Sequence, residues 1–348
     1  MESRGTGGVT IVTLLDDSKA DTLATVVGAW RELDTGGRPV GVVAVAQDAS
    51  DETVAIAREA WGDRGEFRVC RIPPEEIAKR VPDLEWLGHE GDLGGGQSPI
   101  YLHRMAVLRE AARQAVLQLP NGERHWVLWL DADVATPPET FDRLHRLSRQ
   151  VAGIQWGFRP AAVSGIYPIR GGGQMRQWLG DGTMERYIPL RPGKVVAARV
   201  AGFGCVLMTG EVLQRVGWED YGEYRRNRRR LSELGQAKAG PLGEDVYWFR
   251  LAELECQVPL YLDCDVRCRH YDELGGWWVH EDAGGILEPV YHGPGAEPVA
   301  VTRPPTAQWT AREEEDPRRF TPGKPRAEWA ILHAADARRR TLARRGGA

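Results

Sequence analysis

Apolar and polar positions along this chain alternate in blocks of two periods. Val9–Leu15 (Val-Thr-Ile-Val-Thr-Leu-Leu) is a β-rich apolar run ending in Asp16-Asp17, the pattern of a buried strand. Residues 19–33 follow with helical spacing, Leu23, Val26, Val27 and Trp30 sharing one face. Val40–Ala46 reads as a second strand, Asp51–Trp61 as a second helix with Asp51-Glu52 near its positive end, and 67–72 as a third strand. Strands alternating with helices predict a parallel sheet with helical crossovers. Ligands of such sheets bind beyond the carboxyl ends of the strands.

Residues 73–99 are polar and contain Gly94-Gly95-Gly96, which reads as a flexible loop. An amphipathic helix over 100–119, with Met105, Leu108, Ala112 and Val116 on its apolar side, then feeds a central stretch. That stretch, 125–134, is His-Trp-Val-Leu-Trp-Leu-Asp-Ala-Asp-Val. Its five apolar residues read as a strand buried on both faces. Strand period two would put Asp131 and Asp133 on one side. Two close carboxylates repel, and a divalent cation shared with substrate phosphates would relieve them. The bland alternative is a strand-ending turn with two solvated acids.

After Thr136-Pro137-Pro138-Glu139, a helix-start signal, Phe141, Leu144 and Leu147 continue the helix. Residues 151–200 loosen into glycines, prolines and short β-like pieces such as 162–169. A strand over 201–209 and a short helix over 211–216 come next. Arg225, Arg226, Arg228, Arg229 and Arg230 form either a solvated loop or a clamp for an anionic substrate. Gly243-Glu244-Asp245 opens a further helix, and 258–262 and 266–269 are β-like, the second running into His270.

Composition narrows the classes. The chain has 348 residues, 42% hydrophobic and 27% charged, values of an ordinary globular protein of one large or two smaller domains. A net charge of -4 gives no reason to expect a nucleic-acid partner. No apolar run approaches the roughly 20 residues of a membrane span. Residues 1–8 lack the apolar core of a signal peptide, so a cytoplasmic protein is expected. Five cysteines make no even framework. Cys256, Cys264, Cys268 and His270 fall close together, but without the paired Cys-x-x-Cys spacing of structural zinc.

The ordered pieces resemble a family: the GT-A-fold, nucleotide-diphosphosugar-dependent glycosyltransferases, most like the large family 2 group. Residues 47–53 (Gln-Asp-Ala-Ser-Asp-Glu-Thr) resemble its Asp-Asp-Gly-Ser-x-Asp-x-Thr turn with one residue fewer. Residues 129–133 resemble its metal-binding Asp-x-Asp. Gly202-Phe203-Gly204-Cys205 through Gly217-Trp218-Glu219-Asp220 resembles the segment before its catalytic acid, and 243–251 its Gly-Glu-Asp helix start. Residues 126–138 are also similar to the fungal Golgi mannan-polymerase mannosyltransferases, whose strand ends Asp-x-Asp-Val before a proline.

The likeness spans residues 8–280 and implies an α/β fold of the GT-A, Rossmann-like kind with a mixed central sheet plus a C-terminal extension. The domain is placed at 8–284, with a nucleotide-binding half (8–134) and an acceptor half (135–284). Residues 285–348 are read as a proline-rich extension ending in a basic helix that is either a docking or homo-oligomer element or a disordered tail. By resemblance Thr13, Leu14, Asp16 and Asp48 contact the nucleotide, with Arg104 as a further candidate for the same pocket. Asp133 is implied as the direct ligand of Mn²⁺ or Mg²⁺, Asp131 as a ribose or water-mediated contact, and Ala132 lies between them. His270 either completes the metal site or is a structural histidine. Asp245 is implied as the base that deprotonates an acceptor hydroxyl, with Glu244 as neighbour or substitute; the alternative for both is a helix N-cap pair. Arg250 either orients that carboxylate or is a surface charge, and Trp156, Trp178, Trp277 and Trp278 are either sugar-stacking platforms or core.

Two other functions fit parts of the pattern. Residues 128–136 resemble the aspartyl-phosphate motif of haloacid-dehalogenase-type phosphatases, with Asp131 as nucleophile and Asp133 as acid/base. That motif normally lies on the first strand, and here at least three strands precede it. The third reading is a non-catalytic nucleotide-sugar-binding module on the same fold.

Overall fold

The computed structural model describes residues 7–46, 49–80, 99–154, 161–167, 177–178, 185–186, 193, 195–198, 200–219, 243–272, 277–281 and 289–292. The strands are β1 (Val9–Leu15), β2 (Val40–Ala46), β3 (Phe67–Arg71), β4 (Trp126–Leu130), β5 (Val134–Ala135), β6 (Ala162–Ile166), β7 (Gln177–Trp178), β8 (Glu185–Arg186), β9 (Val195–Ala198), β10 (Cys205–Thr209), β11 (Leu260–Arg267), β12 (Arg269–Asp272), β13 (Trp277–Glu281) and β14 (Pro289–His292). The helices are α1 (Ala20–Arg31), α2 (Asp51–Trp61), α3 (Pro74–Arg80), α4 (Pro99–Leu117), α5 (Thr140–Ile154), α6 (Gly210–Arg215) and α7 (Glu244–Cys256).

Among the described residues the main sheet has eight strands in the order β3-β2-β1-β4-β10-β6-β11-β9. β3, β2, β1 and β4 run parallel, the expected Rossmann-like half. β10 enters antiparallel between β4 and β6, and β9 lies antiparallel on β11, so the whole sheet is mixed, as expected. Val127, Leu128, Trp129 and Leu130 are buried on both faces of β4, which accounts for its unbroken apolar run. The apolar stripe of α1 is buried as its spacing predicts, Leu23, Val26, Val27 and Trp30 all being at 0% exposure. Full burial of each such side chain contributes about 1.5–3 kcal/mol.

A second sheet, β14-β13-β12-β5, packs beside the end of β4. It positions the site. The expected separate strands at 258–262 and 266–269 are instead one long β11 followed, after Cys268, by β12. Cys268 N–H donates to Ile166 O (2.8 Å), so the chain leaves one sheet and enters the other without a loop. β14 pairs with β13, so residues 289–292, placed above in the extension, belong to this second sheet. The remainder of the extension, the basic terminal helix included, lies outside the described residues.

Three further expectations shift. Lys19 does not begin α1 but ends a 3₁₀ turn, Asp17–Lys19, that joins β1 to it. Asp131–Asp133 is not strand: β4 ends at Leu130, and Val134 N–H donates to Asp131 O (2.9 Å), closing a turn between β4 and β5. Strand alternation therefore does not govern the two acids, and they take different surroundings. The short piece expected over 162–169 ends as a strand at Ile166.

Candidate active site

The parallel strands β1 and β4 end side by side, and the two turns leaving them supply the first group of charges. From the turn after β4 comes Asp133, 3% exposed. From the turn after β1 comes Lys19, whose Nζ lies 2.9 Å from Asp133 Oδ2. From β12 comes His270, whose Nε2 lies 3.5 Å from the same oxygen. The register explains the histidine: β12 pairs antiparallel with β5 so that His270 stands opposite Val134, the residue after Asp133. Burial opposes ionisation of Asp133, but His270 and Lys19 outweigh it and hold the carboxyl well below the usual carboxylate range.

Asp131 turns elsewhere. It is half-buried, its N–H donates to Gly204 O (3.2 Å), and burial raises its pKa, with the Asp133 charge adding to the rise and Arg109 opposing it. The predicted pair is thus split into one firmly ionised acid and one less so.

Glu244 and Asp245 open α7, as the sequence implied. Neither caps the helix with its side chain in the expected N-cap geometry, because the cap position belongs to Gly243. Glu244 points inward, 5% exposed, with its Oε1 3.4 Å from Arg109 Nε. Burial, then the neighbouring Asp245 charge, push its pKa up to about 7 against the pull of Arg109. Asp245 is half-buried and accepts from Val246 N–H (2.6 Å). Burial raises its pKa as well, Arg109 opposing and Asp131 reinforcing.

Arg109, on α4, is absent from the residues that the sequence singled out, as are Lys19 and Tyr167. It is 5% exposed, its guanidinium carbon lies 4.5 Å from the Phe203 ring centroid and 5.9 Å from that of Trp129, and its charge reaches Glu244, Asp131 and Asp245. Such stacking holds the planar guanidinium in one orientation. The surrounding wall is aromatic: Phe203 stacks on Phe249, and Trp218 on Trp248. Trp218 Nε1 donates to Glu244 O (3.1 Å), fastening the start of α7 to this wall. Tyr167 is buried as well: its ring meets His270 edge-on at 5.8 Å, its oxygen accepts from Gly204 N–H (3.0 Å), and burial, with the Asp131 and Asp245 charges adding, raises its pKa.

The nucleotide-side candidates are placed as follows. Thr13 is 1% exposed and its hydroxyl, packed within the sheet, has no hydrogen-bond partner among the described residues. Leu14 and Asp16 are half-buried at the end of β1, and Asp16 accepts from Ser18 N–H (2.9 Å). Asp17, which the sequence reading passed over, accepts from Ser50 N–H (2.7 Å) and Thr53 Oγ1 (2.6 Å), bonds that lower its pKa and tie β1 to the start of α2. Arg104 is half-buried on α4, one turn and more before Arg109, and Ala132 is buried in the turn after β4. Arg250 faces inward at 6% exposure and bonds Glu253, so it is not a surface charge. Asp48, Trp156 and the arginines of 225–230 lie outside the described residues, whereas Trp178, Trp277 and Trp278 fall on short strands.

Among the described residues no three His, Cys, Asp or Glu side chains converge as a metal cage. A substrate-bridged Mg²⁺ or Mn²⁺ does not require one, because it is commonly held by one or two protein ligands plus waters and phosphate oxygens. The ionised Asp133 and the adjacent His270 fit that smaller set. None of the five cysteines is in a disulfide, and Cys268 has Cys205 as its neighbour.

No family model matches the sequence, and no curated protein matches it. Solved structures do. The chain is similar to GalNAc-T7, solved with UDP, GalNAc and Mn²⁺ (TM-score 0.44, 12% identity), over 77% of this chain and 44% of that one. It is similar to core-mannan synthase A from Aspergillus fumigatus in a Mn/GDP form (TM-score 0.43, 7% identity), over 78% and 76%. It is also similar to TarS 1-349 from S. aureus in complex with UDP (TM-score 0.39, 13% identity), over 73% and 60%. The chain thus spans under half the length of the GalNAc-T7 chain that it matches. No described helix is long and apolar enough to cross a membrane.

Proposed function

We propose that this chain is a metal-dependent glycosyltransferase that moves a sugar from a nucleotide-diphosphate donor to an acceptor hydroxyl. The observation that carries the reading is the meeting of Asp131, Glu244 and Asp245 around one buried arginine, with the charge of Asp133 acting on Asp131 beyond the ends of β1 and β4. Donor departure develops negative charge on the leaving diphosphate, and the acceptor must lose a proton. The first need calls for cations and the second for a carboxylate base.

Asp133 and His270 are the residues that would hold Mn²⁺ or Mg²⁺, which when bound stabilises the charge of the departing diphosphate. Asp131, half-buried in the turn after β4, would accept hydrogen bonds from the donor's ribose or from a water. Asp245 is the base. It is the half-buried member of its pair, whereas Glu244 is turned inward onto Arg109. Arg109 offsets part of the negative charge of this pair and so favours the ionised form of Asp245 that a base requires. The end of β1, at Leu14 and Asp16, together with Arg104, forms the nucleotide side.

A thermal-shift panel of nucleotide sugars, with and without Mn²⁺, tests this reading. One donor together with Mn²⁺ is expected to raise the melting temperature well above either alone, because ligands that bind only the native state stabilise it by mass action. A flat panel for all donors with Mn²⁺ present would count against the proposal.

A further inference from the structure

Lys19 is 7% exposed, and its ammonium lies on Asp133 Oδ2 at 2.9 Å, closer than His270 Nε2 at 3.5 Å. Lysine is almost never buried unless paired. The backbone that carries it is fixed: Lys19 N–H donates to Asp16 O (3.2 Å), and Lys19 O accepts from Thr22 Oγ1 (3.0 Å). The four-carbon stem is flexible by contrast, and its head is a compact point charge with three donors. An ammonium and a divalent cation on one carboxylate oxygen repel each other, so the two compete for Asp133.

We propose that Lys19 is the resident counter-cation of Asp133 and makes metal loading depend on the nucleotide. Without nucleotide, the ammonium holds the carboxylate. A nucleoside diphosphate bound at the end of β1 offers anionic oxygens beside the turn that carries Lys19. The ammonium swings to them, and Asp133 Oδ2 and His270 Nε2 become available to the metal. Metal and nucleotide then bind cooperatively, and the same lysine moves its charge from the protein's acid to the substrate's diphosphate. This rests on the proposed nucleotide-sugar reading.

The test is calorimetric titration of MnCl₂ into the full chain, alone and with saturating UDP or GDP, for the wild type and for Lys19→Met, with Lys19→Gln as a second variant. In the wild type, Mn²⁺ is expected to bind at least about tenfold more tightly with one of the nucleotides present. Lys19→Met is expected to bind Mn²⁺ alone at least about tenfold more tightly than the wild type does, and to lose most of the nucleotide-linked gain. Equal Mn²⁺ affinity of the wild type with and without the nucleotide overturns the proposal even if neither variant folds. So does unchanged metal affinity in Lys19→Met or Lys19→Gln. In both cases, loss of Mn²⁺ binding in Asp133→Ala would leave the metal reading standing. Absence of Mn²⁺ binding from every protein, with either nucleotide, would remove the metal reading along with this one.

Discussion

The Nε of Arg109 lies 3.4 Å from Glu244 Oε1, and both side chains are buried. This contact joins the helix before the central strand to the helix that carries the proposed base. Removing one member of a buried ion pair typically costs about 3–5 kcal/mol, because the other is left uncompensated. Arg109→Met keeps the stem length and removes the charge. It is expected to lose stability of about that size in denaturant unfolding and to raise Glu244 above its present value. A loss below about 1 kcal/mol, the range of surface pairs, would mean that the contact is not a structural joint.

Glu244 gives a pH signature. Its pKa in the fold is about 7, above the ordinary carboxylate value of 4.5. Across that window the native state holds a proton that the unfolded chain has released, so stability falls as pH rises, and the penalty is fully present above about pH 7. Glu244→Gln removes this slope. The melting temperature of the wild type relative to Glu244→Gln is expected to fall from about pH 4.5 to about pH 7.5. A difference that stays constant with pH would show that Glu244 titrates normally.

Much of the fold was legible because its signals are local. Val9–Leu15, Val40–Ala46 and Asp51–Trp61 occur with the bounds that their periodicity suggested. Asp133, Glu244 and Asp245, the acids of the proposed site, stand out in the sequence as short motifs at the end of a strand and the start of a helix. The contacts that organise the site are not local. Lys19 meets Asp133, and Arg109 meets Glu244, across more than a hundred residues. Neither appears in any spacing rule, and Arg109 sits in an amphipathic helix where a charged residue reads as solvent-facing. The antiparallel entry of β10 between β4 and β6 was likewise invisible, since an apolar run does not state its direction. A buried arginine beside aromatic neighbours can be suspected only once the neighbours are known.

Gly202 and Gly204 line the Tyr167 ring too closely for any side chain. A Cβ on Gly202 would stand 2.2 Å from the Tyr167 hydroxyl, and one on Gly204 2.6 Å from the ring. Gly202→Ala is expected to destabilise the protein by about 1–3 kcal/mol, the cost of overpacking a filled interior. In a Tyr167→Phe background the offending oxygen is gone, and the same alanine is expected to cost clearly less. Chemical denaturation of the four proteins of this double-mutant cycle measures the difference. Additive losses would place the strain elsewhere.

Asp245→Asn separates chemistry from binding. The side chain keeps its shape and loses the ability to take a proton, so turnover should drop about 10²–10⁴-fold, the usual contribution of a general base. Donor affinity measured by calorimetry should stay within a few-fold of wild type. Loss of donor affinity with turnover per bound donor unchanged would reassign Asp245 to binding.

The most direct measurement is release of nucleoside diphosphate from the donor that the thermal-shift panel selects, with Mn²⁺ and an acceptor panel, in wild type, Asp133→Ala and Asp245→Asn side by side. Metal-dependent release by the wild type is expected, falling at least about a hundredfold in each variant, the scale of losing one preorganised charged group. Full activity in both variants would contradict the proposed function. So would phosphate trapped covalently on Asp131 with no nucleotide sugar consumed, which is the outcome that a phosphatase would give.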